Sequence, residues 1–251
     1  DDRQNFNHAL EFLDPAIPQM HFKVLNVEDL AAHFVMWEYA IAMVGYLMKV
    51  CPFDQPDVAV AKAEVLHILA EGACEPDFVQ DGLAEVPIGK VEVHVSESLR
   101  DKVTEPSLDA VLRALFGSIE PGDYFSFNAF LPFAGEGRRE AIEEIRHTVA
   151  SHYDVASCLE IGPRYLHSTG QLHKGGPNKG VFLILSADEP KDIEIDDPRA
   201  RSLGELAKAQ ALGDFTILSS RGRRCVHVHL PDNSAVSIRA LAKAFKKVVY
   251  A

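Results

Sequence analysis

The feature that most constrains the fold is a regular alternation of two apolar periods in the second half of the chain. Residues 91–95 alternate apolar and polar side chains as a half-buried strand does, and residues 108–115 follow the 3.6-residue period of an amphipathic helix. Further strands are predicted at about 124–131, 155–161, 181–186 and 224–230, with helices near 142–149, 202–212 and 234–248. Strands that alternate with helices indicate an α/β layered domain, which we place at residues 91–251.

The first part of the chain has helical periodicity without strands. One helix is predicted from about Glu28 to Lys49 and a second over about 56–71, where Pro56 suits the first helical turn. Together they define an N-terminal helical segment at residues 1–75. The glycines and prolines that follow show little periodicity, so a linker is predicted at residues 76–90.

The helix predicted at 28–49 is apolar nearly all round, which raises the question of a membrane span. His33 and Glu38 lie inside its apolar stretch, and a charge near the bilayer centre costs about 2.5–3.5 kcal/mol. We therefore predict a buried core helix and no membrane partner. Because such a helix needs a cover, we expect it to pack on the rest of the chain or to mediate a homodimer.

Composition excludes some partners and indicates a compartment. The net charge of −12 would be repelled by nucleic acid and by anionic membranes, so neither is expected as a partner. The basic run at residues 221–224 could bind a small phosphate, although a solvated turn is the commoner explanation. The four cysteines have no C-x-x-C spacing, which favours reduced thiols and a cytoplasmic location.

Lys62 occupies an unusual position on the helix predicted at 56–71. It falls in the middle of the apolar stripe of that helix, which consists of Val58, Ala61, Val65, Leu66 and Leu69. In one interpretation its stem packs on apolar surface while the amine reaches water. In the other, the helix directs an ammonium group into a ligand cleft.

The densest polar segment is residues 162–178, which directly follow a predicted strand. Ligands of open α/β sheets bind at strand ends, so this segment could bind a polyhydroxylated or phosphorylated small molecule, or it could be a plain surface loop.

His227 and His229 lie on one face of a predicted strand, but the sequence has no third potential ligand at a spacing typical of metal sites. We therefore predict no metal and no organic cofactor.

Two motifs resemble one known family. Phe53-Asp54-Gln55-Pro56-Asp57-Val58, followed by Lys62, is similar to the Phe-Asp-Gln…Lys signature of glucose-6-phosphate isomerases. His167-Ser168-Thr169-Gly170-Gln171 is similar to the histidine loop of that family. The run from Gly162 to Asn178 resembles the tail of the form fused behind transaldolase, and the resemblance extends over most of residues 20–230. The chain is thus similar to the C-terminal part of a bifunctional transaldolase/glucose-6-phosphate isomerase.

This resemblance implies a fold and a set of roles. The fold would be a sugar isomerase (SIS) type domain, and the reaction would interconvert glucose 6-phosphate and fructose 6-phosphate. Lys62 and His167 would open the sugar ring, and Gln55 would bind the phosphate end. Ser168 and Gln171 of the histidine loop are further candidates for substrate contact. The other candidates lie beside that loop in the polar segment: Arg164, Lys174 and His173.

Two departures from the family pattern shape the functional prediction. In the family the histidine loop precedes the Phe-Asp-Gln…Lys helix, whereas here it follows, so this loop either supplies the histidine or is a look-alike with another task. The segment that would carry the glutamate base is also missing. We therefore expect the chain alone to be inactive as an isomerase and to need the upstream isomerase and transaldolase parts of one polypeptide, a possibility that its start at Asp1 suggests. The alternative is a non-catalytic sugar-phosphate-binding or assembly module of a bifunctional transaldolase.

Overall fold

The computed structural model describes residues 20, 22–54, 56–72, 74–132 and 137–251. The chain divides into two units, Asp1–Asp54 and Gln55–Ala251. The predicted boundary at residue 75 is therefore misplaced, because the second helix belongs to the larger unit. That helix packs its buried Ile68, with the partly buried Val65 and Leu69, against Ala209 and Leu212 of the larger unit.

The described part of the first unit contains helix α1, Val27–Met48. Asn26 caps its start, since the side-chain Oδ1 accepts a hydrogen bond from the Asp29 N–H at 2.7 Å. Most of its apolar side chains are exposed, Phe34 and Trp37 among them. The predicted burial is not found within the first unit, because the described residues of this unit contain no second helix to cover α1. By length and composition α1 could cross a membrane, but core helices and signal sequences pass the same test.

The second unit is built on a six-stranded sheet. Its strands are β1 (Phe78–Leu83), β2 (Val86–Val95), β3 (Tyr124–Phe130), β4 (Ala156–Ile161), β5 (Gly180–Ala187) and β8 (Arg224–Leu230); β6 (Glu194–Asp197) and β7 (Ala200–Ser202) form a separate antiparallel pair. The order in the sheet is β1-β2-β8-β5-β3-β4. Four neighbouring strands, β8, β5, β3 and β4, run parallel, and the hairpin β1–β2 joins antiparallel to β8 through β2. This mixed, mostly parallel sheet confirms the predicted α/β class.

Helices cover both faces of this sheet. Helices α4 (Leu108–Phe116), α5 (Arg138–Tyr153) and α8 (Ala235–Val249) form the larger core on one face, and α7 (Leu203–Ser220) packs on the other, where its Phe215 and Leu218 meet Phe182 and Ile184 of β5. These helices and α2 (Pro56–Glu71) confirm the predicted helices, although α7 continues eight residues beyond its predicted end. The short helices α3 (Glu97–Arg100) and α6 (Thr169–Gly175) were not predicted.

The linker predicted at residues 76–90 is instead the β1–β2 hairpin. Its two turn residues, Ala84 and Glu85, both have positive φ, at 44° and 66°. A two-residue hairpin turn of type I′ requires this geometry and is usually built from asparagine, aspartate or glycine. The turn therefore lacks the residue types that predict a hairpin, and the glycines and prolines elsewhere in residues 76–90 led to the prediction of a linker.

Candidate functional site

Helix α2 is held on α7 by close apolar packing. Gly213 allows this approach, because a Cβ atom at that position would lie 3.1 Å from Cγ2 of Val65. Ile68 of α2 is buried against Ala209 and Leu212. This packing leaves Lys62 exposed on a side of α2 that borders a cavity.

The first turn of α2 has a second anchor in Asp57, whose side chain is buried. Its Oδ2 accepts a hydrogen bond from Nε2 of Gln171 at 2.6 Å, and its carboxylate forms an ion pair with Arg221. Gly175 lies so close that a Cβ atom there would be 2.9 Å from Asp57 Oδ2. These contacts join α2 to α6 and therefore set the position of Lys62 relative to the histidine loop.

The polar segment at residues 162–178 contains a 3₁₀ turn, Arg164–His167, which follows β4 and leads into the histidine loop. Tyr165 faces inward: its hydroxyl donates a hydrogen bond to Asp214 of α7 and accepts one from Nδ2 of Asn128 at 3.1 Å. Burial, and then the Asp214 carboxylate, raise the pKa of Tyr165 well above its usual value. Because Tyr165 is fixed in the core, its neighbours Arg164 and His167 remain exposed.

Lys62, Arg164 and His167 line one cavity of about 420 Å³. The volume lies within the range of small-molecule sites, about 300–1,000 Å³. The remaining wall is largely apolar and comes from α2, α7, the 3₁₀ turn and the β6–β7 pair: Val58, Ala61, Val65, Leu66, Leu69, Pro163, Leu166, Ile195, Ala200 and Leu206, with Gln210, Asp197, Arg199 and Asp214 as further polar members. The two proposed ring-opening residues, which were predicted from separate motifs, thus border the same space.

Both carboxylates of the cavity wall are already paired. Arg199 donates two hydrogen bonds to Asp197, which hold the pKa of that carboxyl at about 2. Asp214 forms a buried ion pair with Lys174 and accepts the Tyr165 hydroxyl. By contrast, Lys62, Arg164 and His167 have no hydrogen-bond or ion-pair partner among the residues that the structure describes. The cavity therefore offers free cationic and imidazole groups beside neutralised carboxylates.

Several residues predicted to contact substrate are placed elsewhere. Lys174 is fully buried, and its amine is paired with Asp214. Gln171 binds Asp57, and the Ser168 hydroxyl donates to the Tyr165 carbonyl at 3.3 Å. None of the three lines the cavity, and their polar atoms bind protein groups. As contacts to a ligand in this cavity they are corrected: Ser168 and Gln171 were assigned from the motif resemblance, and Lys174 from its place in the polar segment. Gln55 lies outside the described residues.

The basic run at 221–224 is not a phosphate pocket; Arg221 and Gly222 form an exposed turn, but all three arginines have protein partners. Arg221 pairs with Asp57, and Arg223 is buried and donates to the carbonyls of Lys174 and Gly176 at 2.6 and 2.7 Å. Arg224 donates to Asp123 at 2.7 Å. Each guanidinium group therefore stabilises the packing of α2, α6 or β3.

The His227–Val228–His229 strand carries a buried hydrogen-bonded cluster. The hydroxyl of Ser186 lies 2.7 Å from Nε2 of His227 and 2.8 Å from Nδ1 of His229. Nε2 of His229 contacts Asp188 at 3.0 Å. Burial lowers the pKa of His227 well below its usual value. Among the described residues this pair belongs to no cluster with the geometry of a metal site.

Sequence reasoning missed the buried partners of the site, chiefly Asp214 and Tyr165. One signal could have found Asp214, because it interrupts the apolar run Ala211-Leu212-Gly213-Asp214-Phe215. An aspartate is almost never fully buried unless it is paired. Its partner Lys174 is 40 positions away in the chain, so no local pattern could identify the pair.

Together, the fold and the site define an α/β unit with a cationic, partly apolar cavity beside the carboxyl end of β4. No protein-family model matches the chain. A glucose-6-phosphate isomerase of Mycoplasmopsis pulmonis is 47% identical over 51 residues, which are 18% of this chain and 12% of that protein. A solved structure of a hypothetical protein from Thermus thermophilus has a TM-score of 0.47 and 17% identity, over 61% of this chain and 42% of the other.

The sequence match covers a small part of the relative's length, and it supports a region related to glucose-6-phosphate isomerase and nothing larger.

Proposed function

We propose that this chain forms part of an aldose–ketose isomerase, related to glucose-6-phosphate isomerase, which interconverts glucose 6-phosphate and fructose 6-phosphate. The observation that carries the proposal is that Lys62 and His167 line one cavity together with Arg164. The proposal includes a sugar isomerase (SIS) type fold, which the helices on both faces of a mostly parallel sheet support.

The three free side chains suit the chemistry of ring opening. Opening a cyclic hexose requires a proton to leave the anomeric hydroxyl and another to reach the ring oxygen. Imidazole gives and takes protons near neutral pH, so His167 serves as the acid–base group. The ammonium of Lys62 stabilises negative charge that develops on the ring oxygen. Arg164 can bind a phosphate through its forked guanidinium.

The proton transfer between C1 and C2 needs a base from outside this cavity. Asp197 and Asp214 are its carboxylates among the described residues, and both are held by cations. On this proposal the base comes from the upstream isomerase part of the same polypeptide, with a transaldolase part before it. The assembled enzyme works in the cytoplasm, and the chain alone opens sugar rings without isomerising them.

The same paired carboxylates favour a second candidate, a non-catalytic module that binds a sugar phosphate or holds a bifunctional transaldolase together. The two candidates differ in a measurable step. An isomerase part accelerates the exchange of the α and β anomers of glucose 6-phosphate, because anomers interconvert through the open chain. A binding module binds the same sugar without accelerating the exchange.

The test combines calorimetry with exchange NMR on the purified chain. Fructose 6-phosphate binding and the anomer exchange of glucose 6-phosphate are measured for the unaltered chain, Lys62→Met and His167→Gln. We expect Lys62→Met to weaken binding about tenfold or more, since a hydrogen bond to a charged group contributes about 1.5–3 kcal/mol. We expect His167→Gln to abolish the accelerated exchange while it retains most of the binding.

Two variants serve as matched controls. His67→Gln alters another histidine, exposed on α2 beside Glu71, and Lys102→Met alters an exposed lysine outside the cavity. Both should behave as the unaltered chain. Binding without faster exchange would select the second candidate. Binding that neither Lys62→Met nor His167→Gln changes would refute both candidates as assigned to this cavity.

A further inference from the structure

A second cluster of chemically reactive side chains lies outside the cavity, between β4 and α6. Cys158 and Glu160 stand two positions apart on β4, so their side chains share one face of this edge strand. Leu159 points to the opposite face, where it packs on the larger core. His173 comes from α6, which follows the 3₁₀ turn.

The three potential ligand atoms are close enough to share one ion. The Cys158 sulfur, a carboxylate oxygen of Glu160 and a ring nitrogen of His173 all lie within 4.8 Å of one another. Zinc binds sulfur at about 2.3 Å and nitrogen or oxygen at about 2.0–2.2 Å. In a tetrahedral site those bond lengths separate the ligands by about 3.3–3.8 Å. Side-chain movements of about 1 Å would therefore complete the site.

His173 gives an independent reason to expect a ligand there. Its side chain is only 2% exposed, and neither ring nitrogen has a hydrogen-bond partner among the described residues. Its Nδ1 is a fully buried, unpaired polar atom, and leaving such an atom unpaired costs about 1–3 kcal/mol.

We propose that Cys158, Glu160 and His173 bind a divalent transition-metal ion, by their chemistry zinc, with a water molecule as the fourth ligand. One sulfur, one nitrogen and one oxygen suit zinc and not magnesium or calcium, which prefer oxygen ligands. Cys158 binds as the thiolate, and its proton passes to solvent. The half-buried position of Cys158 and Glu160 on an edge strand leaves a route for the ion.

The position of this site gives the metal a structural task. Cys158 precedes and His173 follows the 3₁₀ turn that carries Arg164 and His167. An ion bound by both sides therefore closes a short loop around that turn and restricts its motion. This inference concerns metal binding and does not rest on the proposed sugar-phosphate function.

The test is a titration of the chelator-treated chain with cobalt(II), which replaces zinc and reports its ligands by absorption. We expect one equivalent to bind with tetrahedral d–d bands and a thiolate-to-cobalt charge-transfer band. Cys158→Ala should lose the charge-transfer band. His173→Gln and Glu160→Gln should weaken zinc binding more than about tenfold, since removing a group that merely orients a ligand already costs that much.

The controls are Cys51→Ala and Cys74→Ala, which alter exposed free cysteines and should leave the spectrum unchanged. If His173→Gln fails to fold, Glu160→Gln on the half-buried edge strand still decides the question. No stoichiometric binding, or a charge-transfer band that is lost with Cys51 or Cys74 and kept in Cys158→Ala, would overturn the proposal. Fructose 6-phosphate binding by the metal-free chain is a separate readout, so failure of one proposal leaves the other tested independently.

Discussion

Replacing Lys174 with methionine tests whether this lysine stabilises the fold or contacts a ligand. The side chains of Lys174 and Asp214 are each only 1% exposed and form an ion pair. Methionine keeps much of the length of lysine but removes the charge, which leaves the Asp214 carboxylate buried with the Tyr165 hydroxyl as its remaining partner. Removing one partner of a buried pair costs about 3–5 kcal/mol. Whole domains are stable by only about 5–15 kcal/mol, so the loss should be large.

The assay is urea unfolding followed by far-ultraviolet circular dichroism, because the one tryptophan of the chain, Trp37, belongs to the other unit. Lys179→Met is the matched control. Lys179 is 48% exposed and lies 3.6 Å from the buried Asp123 carboxylate, which also accepts a hydrogen bond from Arg224. Because Asp123 keeps this partner, losing the exposed lysine should cost about 0–1 kcal/mol.

If Lys174→Met does not fold, the double variant Lys174→Met/Asp214→Asn removes the stranded charge and should recover part of the stability. If Lys174→Met lowers the free energy of unfolding by less than about 1 kcal/mol and abolishes fructose 6-phosphate binding, the structural role is refuted. Lys174 would then contact the ligand, as the sequence predicted.

Two further predictions concern stability and the placement of α2. Burial lowers the pKa of His94 from 6.5 to about 4. As the pH falls below 6.5, this histidine takes up a proton in the unfolded chain before it does so in the folded chain, so the free energy of unfolding falls between pH 6.5 and pH 4. The expected loss at pH 5 relative to pH 7.5 is about 2 kcal/mol. The urea midpoints of His94→Gln should fall less than those of the unaltered chain over this interval, and equal slopes would contradict the assignment. Asp57→Ala removes the hydrogen bond to Gln171 and the ion pair with Arg221, so we expect a loss of about 1.5–3 kcal/mol and weaker fructose 6-phosphate binding because α2 carries Lys62. Unchanged affinity in the folded variant would show that this anchor does not position the lysine.

The sequence predicted those parts of the fold that have local signals. The helices at α4 and α8 have clear apolar stripes, and the parallel strands are runs of apolar residues between turn signals, so their positions were close to those observed. The β1–β2 hairpin was missed because Ala84 and Glu85 form its turn without the usual residue types. The exposed surface of α1 could not be predicted either, because burial depends on which other elements pack against a helix.

In the candidate site, too, residues in local motifs were predicted, whereas pairings between distant residues were not. Lys62 and His167 were found because each belongs to a motif, and both line the cavity. Gln171 was assigned to substrate because it belongs to the histidine-loop motif, and Lys174 because it lies in the polar segment. Their partners, Asp57 and Asp214, come from distant parts of the chain. Which polar groups remain free for a ligand is a property of these long-range pairings, which a sequence pattern does not contain.

The most direct test of the central claim is a crystal structure of the chain with fructose 6-phosphate. The account predicts the sugar in the cavity of about 420 Å³, with Lys62 and His167 within hydrogen-bond distance of the sugar and Arg164 beside the phosphate. A sugar phosphate bound elsewhere, or an empty cavity at a concentration that saturates binding in solution, would contradict it.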